Sequence, residues 1–149
     1  MVELLVVISI IGILATLLLL QLGVARQRAR DAKRIVDISQ VRTAIELSYD
    51  DTGQYPQVAT YNALAALVVP KYMTSLPVDP LNNGNYSYNY AFNGLTKFHI
   101  WAELENAAAA LKSDADINST GWTGQVGDGT VEVCTSGVVD CRYDQGQNQ

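Results

Sequence analysis

The only histidine in the chain is His99, and it is the first residue to consider for acid–base catalysis. It lies in an alternating apolar and polar stretch, which predicts the outward face of a strand beside Lys97 and Trp101. General base catalysis needs partners within hydrogen-bond reach. No Ser-His-Asp order, metal-type histidine spacing or phosphate-binding glycine loop accompanies His99. The sequence therefore predicts that the protein is not an enzyme.

A second candidate for chemistry is the acidic segment that begins at Asp114. Asp114-x-Asp116 starts with the alternating oxygens of a calcium loop. However, the sixth position is Ser119 rather than Gly and the twelfth is Gln125 rather than Glu, which excludes an EF-hand. No cofactor is expected, and a calcium site that uses Asp114, Asp116 or Asp128 is a weak candidate. The alternative is a solvated loop.

The two cysteines, Cys134 and Cys141, are the only ones in the chain. They flank a predicted hairpin whose strands are 130–134 and 138–143. A type II′ turn at Gly137-Val138 would place the cysteines opposite each other. This arrangement favours a disulfide, and therefore an oxidising exterior, with about 2.5 kcal/mol of stabilisation. A buried pair of free thiols is the alternative.

The elements that must position these residues start with a long apolar stretch. From Leu4 to Ala25 the only polar side chains are Ser9, Thr16 and Gln21. As a helix this stretch would extend roughly 33 Å, enough to cross a bilayer. Glu3 places a carboxylate at its start, and an unpaired carboxylate near a bilayer interior is costly.

An amphipathic pattern follows the apolar stretch without a break until Gly53. Apolar side chains recur at helical spacing and should cover a sheet; they are Ile35, Ile38, Val41, Ile45 and Tyr49. Five cations open this half: Arg26, Arg28, Arg30, Lys33 and Arg34. They are interpreted either as an interfacial anchor or solvated helix face, or as a surface that meets acidic neighbours. Taken alone, these cations would place the following domain in the cytoplasm, whereas the cysteines favour the exterior.

The remaining chain predicts a small antiparallel domain. Tyr61 to Val69 reads as a short helix with Leu64, Leu67 and Val68 facing inward. Aromatic side chains alternate with smaller ones from Tyr86 to Phe92, and a second alternating run spans Phe98 to Leu104. Asn93-Gly94 lies between the two runs and suits a tight turn, so the segment predicts a hairpin. The segment 112–128 reads as a surface loop, and 145–149 as a frayed tail. The net charge of −5 does not support a nucleic-acid partner.

The first 55 residues resemble the N-terminal helix of type IV pilins and pseudopilins. The glutamate followed by Leu-Leu-Val-Val-Ile-x-Ile-Ile-Gly-Ile-Leu-Ala is reproduced from Glu3 to Ala15. Leu76–Pro80 and the tyrosine-rich Asn85–Phe92 are similar to the segment that leads into the pilin sheet. The resemblance implies an α+β fold: residues 1–25 as a transmembrane or filament-core helix, 26–52 as its amphipathic continuation, and 53–149 as a globular head with about four antiparallel strands.

The resemblance also implies a function and partners. Glu3 would pair with the α-amine of an adjacent subunit and set the axial register. The helix between Gly12 and Gly23 would lose helical structure in the filament, although Gly12 and Thr16 also suit ordinary packing of small residues. The expected assembly is a helical homo-oligomer at the cell surface, built from monomers held in the inner membrane. A prepilin peptidase, N-methylation and an assembly ATPase are implied.

The implied output of such a filament is adhesion, twitching motility or DNA uptake. One alternative is a major pseudopilin of type II secretion, for which bound calcium would be typical. A monomeric, membrane-anchored binding module is a further alternative from a different class.

Overall fold

A computed structural model describes residues 2–106, 108–127 and 141–148, together with every side chain in these ranges except that of residue 20. One helix, α1, spans Val2–Thr52 without interruption. Gly53 ends it at a φ of 72°, and its N–H donates to the carbonyl of Tyr49 at 2.7 Å. A positive φ is inexpensive only for glycine, so the predicted end of the helix is explained by that residue.

The connector after α1 differs from its prediction. A 3-10 turn, Tyr61–Leu64, precedes a single α-helical turn, α2, at Ala65–Val68. Leu64 and Val68 are buried, whereas Leu67 is 45% exposed. The predicted inward orientation of Leu67 is therefore wrong, because the 3-10 turn changes the helical phase of the residues that follow it.

A four-stranded antiparallel sheet forms the rest of the described head. Its strands are β1 at Tyr88–Asn93, β2 at Lys97–Glu103, β3 at Thr123–Gly124 and β4 at Arg142–Gln147, in the spatial order β3-β1-β2-β4. A 3-10 turn lies at Ala109–Lys112. The predicted α+β fold, with a long N-terminal helix and about four antiparallel strands, is confirmed.

The core lies between one face of α1 and one face of the sheet. Its centre is built from Ile38, Val41 and Ile45 of the helix and from Phe98 and Ile100 of β2, all with no exposed surface. The side chains follow the helical and strand periods that the sequence displays. The packing of the predicted helix stripe on β2 is therefore observed.

Two predictions about the C-terminal region are revised. Gln145 to Gln147 belong to β4, which pairs with β2 along its whole length, so this part of the predicted frayed tail is wrong. The segment 113–127 is more than a surface loop, since Ile117 and Ser119 are buried. The first strand of the predicted second hairpin and its turn lie outside the described residues.

Candidate functional site

The first half of α1 is the largest exposed apolar surface of the described chain. Its large apolar side chains that the structure describes are all exposed, from Leu4 at 70% to Leu14 at 55% and Leu22 at 45%. The helix is long and apolar enough to cross a membrane, with a mean hydropathy of 2.8 over an 18-residue window of which none is buried. A large exposed apolar surface of this kind marks a candidate site of contact with a membrane or with another protein.

Glu3 lies in the first turn of α1, where its side chain is exposed. A carboxylate at a helix start interacts favourably with the helix dipole. The structure contains one chain, so the pairing of Glu3 with a neighbouring α-amine stays a prediction. Gly12 and Gly23 lie within continuous helix, and nothing lies within 4 Å of a Cβ placed at either. Their role in the loss of helical structure on assembly also stays a prediction.

Arg34 is the centre of the best-connected polar cluster of the described residues. Its guanidinium is fully buried and bridges Asp79 through Nε–Oδ2 at 2.6 Å and Nη2–Oδ1 at 3.1 Å. Nη1 donates to Asp31 and to Glu105, both at 2.8 Å. The ring of Tyr86 covers the guanidinium, with 4.6 Å from Cζ to the centroid. Helix, connector and the segment after β2 are therefore joined at one buried cation.

The pKa values of this cluster follow from its contacts. Burial lowers the pKa of Arg34, but the hydrogen bonds to Asp79 and Glu105 outweigh burial and leave the pKa above its ordinary value. Burial raises the pKa of Asp79, whereas Arg34 and the N–H groups of Leu81 and Asn82 lower it below its ordinary value. A hydrogen bond from Arg30 lowers the pKa of Glu105 despite its burial. All three groups are charged at neutral pH.

Most of the predicted basic cluster is thus neutralised within the chain. Arg30 pairs with Glu105. Lys33 pairs with Asp37, which also accepts a hydrogen bond from Tyr88. Five cations and four carboxylates occupy this region, leaving one net positive charge. The interpretation of the whole cluster as a solvated or partner-facing surface is therefore wrong for Arg34, because carboxylates distant in sequence surround it.

His99 belongs to a buried polar chain that the sequence did not predict, hydrogen-bonded on its Ser119 side and in ion-pair contact on its Asp144 side. It lies on the face of β2 opposite Phe98, as expected, but segment 113–127 covers it. His99 Nδ1 is 2.7 Å from Ser119 Oγ, and Nε2 is 3.1 Å from Asp144 Oδ1. The Gly127 N–H donates to Ser119 Oγ at 2.7 Å. A Cβ at Gly127 would lie 2.9 Å from His99 Cε1, so a larger residue there would require neighbouring side chains to shift.

This Ser119–His99–Asp144 chain contains the residue types of a hydrolase triad. Such a triad acts only if its serine oxygen can reach a substrate carbonyl. Ser119 and His99 have no exposed surface, and the Ser119 hydroxyl is held by Gly127. In this conformation the arrangement ties segment 113–127 to β2 and β4, and no substrate reaches it. The sequence signal was weak, since the three residues lie on three separate elements.

The calcium candidates are placed only in part. Asp114 Oδ2 accepts the Asp144 N–H at 3.0 Å, and its Oδ1 is buried without a hydrogen-bond partner. The pKa of Asp114 is raised to about 6, chiefly by burial and also by the nearby charges of Asp116 and Asp144. Asp128 lies outside the described residues. Within the described ranges no three His, Cys, Asp or Glu side chains form a metal cluster. Only two of the three candidate carboxylates lie in the described ranges, so a calcium site that uses Asp114, Asp116 or Asp128 stays a prediction.

The predicted disulfide cannot be placed from the described ranges. Cys141 is buried just before β4. Cys134 lies outside the described residues, so the Cys134–Cys141 pairing stays a prediction.

Comparison with known proteins identifies no family. No protein-family model, no curated protein and no solved structure matches the chain.

Proposed function

We propose that the protein is the subunit of a type IV pilus, stored in the inner membrane and polymerised into a filament outside the cell. The observation that carries the proposal is the exposed apolar half of α1, continuous with a half that bears the head. An apolar rod of membrane length that is rigidly joined to a folded head can exchange a lipid environment for contact with copies of itself. The resemblance of Glu3–Ala15 to pilins supports this interpretation.

Glu3 supplies the specific contact in this proposal. Moving the apolar half from lipid into a filament core changes the buried apolar area little, so packing and specific pairs must select the axial register. The carboxylate of Glu3 would be neutralised by the α-amine at the start of an adjacent subunit. Polymerisation is therefore expected to require the assembly ATPase, because the transfer out of the membrane is not driven by apolar burial.

Electron microscopy of filaments sheared from cells tests the proposal, with peptide mass mapping of the purified fibres to establish the mature start of the subunit. Cells producing the wild-type chain are expected to yield fibres made of it. Glu3→Gln keeps the size of the side chain and removes its charge, and it should abolish or strongly reduce the fibres while the head stays folded. Asp50→Gln, at an exposed helix position, is the charge-matched control and should leave assembly intact. Absence of fibres from wild-type cells would contradict the proposal.

A pseudopilin of type II secretion is the second candidate. The observation that favours this candidate is the buried Asp114 Oδ1, which has no hydrogen-bond partner. Such an oxygen could bind calcium, and bound calcium would be typical of pseudopilins. Isothermal titration with calcium, on the wild type and on Asp114→Asn, separates the two candidates. Calcium binding that the substitution removes, combined with the absence of long surface fibres, would support the pseudopilin. The absence of binding together with surface fibres supports the pilus.

A further inference from the structure

Two cations at the junction between the halves of α1 remain without a partner. Arg26 and Arg28 are exposed, and neither forms an ion pair in the part of the chain that the structure describes. The helical neighbours of Arg26, three and four positions away, are Leu22, Gly23, Ala29 and Arg30. None of these is acidic. Arg26 therefore has no carboxylate within one helical turn.

Arg28 has one nearby carboxylate, Asp31, but both oxygens of that carboxylate already accept hydrogen bonds from other groups. Asp31 Oδ1 accepts hydrogen bonds from Arg34 and from the backbone N–H of Glu105, each at 2.8 Å. Asp31 Oδ2 accepts from the backbone and side-chain nitrogens of Asn106, at 3.0 Å and 2.9 Å. The Asp31 side chain is also buried. Arg28 is left available to a group outside the chain.

The placement of the two arginines indicates what kind of partner they meet. Positions two apart in an α-helix are separated by about 200° around the axis, so Arg26 and Arg28 extend to nearly opposite sides. Both lie within about 5 Å along the axis of Ala25, where the apolar stretch ends. One neighbouring protein chain contacts one side of a helix, whereas the headgroup surface of a membrane surrounds the whole circumference of a helix at one height along its axis. The geometry favours the membrane surface.

We propose that Arg26 and Arg28 form a collar that binds the phosphates of anionic phospholipid headgroups where α1 leaves the bilayer. The proposal rests on the membrane-stored state of the proposed function. The guanidinium fork suits phosphate oxygens, and its long stem can follow the apolar surface to the headgroup level. The chain carries a net charge of −5, so a local positive collar offsets repulsion between the head and an anionic surface.

Lipid selectivity measured on the full chain tests the collar. The protein is reconstituted in phosphatidylcholine vesicles with spin-labelled phosphatidylglycerol or spin-labelled phosphatidylcholine as the probe. The motionally restricted fraction of each spectrum gives the relative affinity of the two lipids for the protein. The wild type should prefer phosphatidylglycerol by about fivefold for each arginine contact at low salt, and the preference should decline as salt rises. Arg26→Gln/Arg28→Gln should reduce the ratio to near one.

A control with the same change in charge is available in the head. Lys97 and Lys112 form no ion pair among the described residues, and Lys97→Gln/Lys112→Gln removes two positive charges from the head instead of from α1. This variant should keep the wild-type preference. Equal loss of preference in both variants would mean that total charge, and not the collar, sets the selectivity, which would overturn the proposal.

The remaining outcomes separate the collar from the proposed function. A wild-type chain that inserts but shows no lipid preference overturns the collar and leaves the pilus proposal intact. A variant that keeps the lipid preference but no longer forms fibres places Arg26 and Arg28 against a neighbouring subunit, which also overturns the collar. A wild type that shows the preference but never forms fibres sustains the collar and contradicts the pilus proposal.

Discussion

The two halves of α1 share one continuous backbone but have opposite surroundings. From Val2 to Ala25 every described side chain is exposed, and hydrogen bonds within the helix are the main source of its order. Between Asp31 and Ser48 one side of the helix is buried on the sheet and the other remains exposed. In the described residues the first half is exposed all round, whereas the second half is stabilised by packing within the chain.

This difference predicts that the two halves of α1 respond independently to substitution. The head-bearing half is locked by apolar contacts and by the buried Arg34 cluster, so it keeps its orientation to the sheet. The side chains of the apolar half that the structure describes are all exposed, so a change in their surroundings should not disturb the head. Substitutions in one half should therefore leave the properties of the other half unchanged. The following predictions test that separation, from the largest expected effect to the smallest.

The largest effect is expected for Arg34→Ala. Removal of the guanidinium leaves Asp31, Asp79 and Glu105 near one another without their central cation, which should reduce the free energy of unfolding by about 3–5 kcal/mol. Urea unfolding of the full chain in detergent, followed by near-ultraviolet circular dichroism, measures the change. Arg28→Ala is the control on the same helix, and it should change the stability of the head by less than about 0.5 kcal/mol. A similar loss in both variants would show that the cluster is not the source.

Leu14→Arg is the reciprocal test in the apolar half. Leu14 lies near the middle of the apolar stretch and is 55% exposed. Arginine there should oppose membrane insertion by about 3 kcal/mol relative to leucine. Carbonate extraction of membranes gives the inserted fraction, and Leu14→Ala should remain inserted. The near-ultraviolet spectrum of the head and its urea midpoint should be unchanged in both variants. A shifted midpoint would contradict the independence of the two halves.

Ser119→Ala tests the buried hydrogen-bond chain of the head. The substitution removes the partner of His99 Nδ1 and of the Gly127 N–H, and buried polar groups left without partners should cost about 1–3 kcal/mol. Urea unfolding measures the loss. Ser113→Ala is the matched control, because Ser113 is exposed and forms only a 3.4 Å bond to the Ala110 carbonyl. Hydrolase activity that depends on Ser119 would instead show that the chain opens to substrate.

The smallest effect is a pH dependence at Asp114. Because its pKa is raised to about 6 in the folded chain, the folded state binds this proton more tightly than the unfolded state does. The resulting stability is full below the ordinary carboxyl pKa and is lost as the pH rises through about 6. Asp114→Asn should therefore stabilise the head at pH 8 by about 1 kcal/mol, after allowance for solvent screening. At pH 4 the variant and the wild type should differ little.

The comparison between the halves also shows which features could be predicted from the sequence. Local patterns were sufficient for the long helix, for its end at Gly53 and for the hairpin around Asn93-Gly94, because these features depend on nearest-neighbour periodicity and turn chemistry. The same reasoning was wrong for the frayed tail. Gln145 is polar, yet pairing with Ile100 in β2 places it in the sheet.

Pairing between distant residues could not be predicted. Arg34 and Asp79 are 45 positions apart, and Asp31 and Glu105 are joined across a comparable distance in the chain. Nothing in the local sequence distinguishes these charges from solvated ones. The predicted exposed faces were therefore only partly correct: Lys33 is half-exposed, but its partner Asp37 is buried under Tyr88.

The sequence by itself determined the apolar rod, the amphipathic continuation and the alternating strands, since periodicity and length are properties of consecutive residues. Only the tertiary structure decided which charged side chains form ion pairs within the chain and which are left to interact with groups outside it. Three of the five cations at the junction, Arg30, Lys33 and Arg34, have carboxylate partners, whereas Arg26 and Arg28 have none in the described part of the chain. The physical reason is that charge pairing depends on distance in space, and the fold sets that distance.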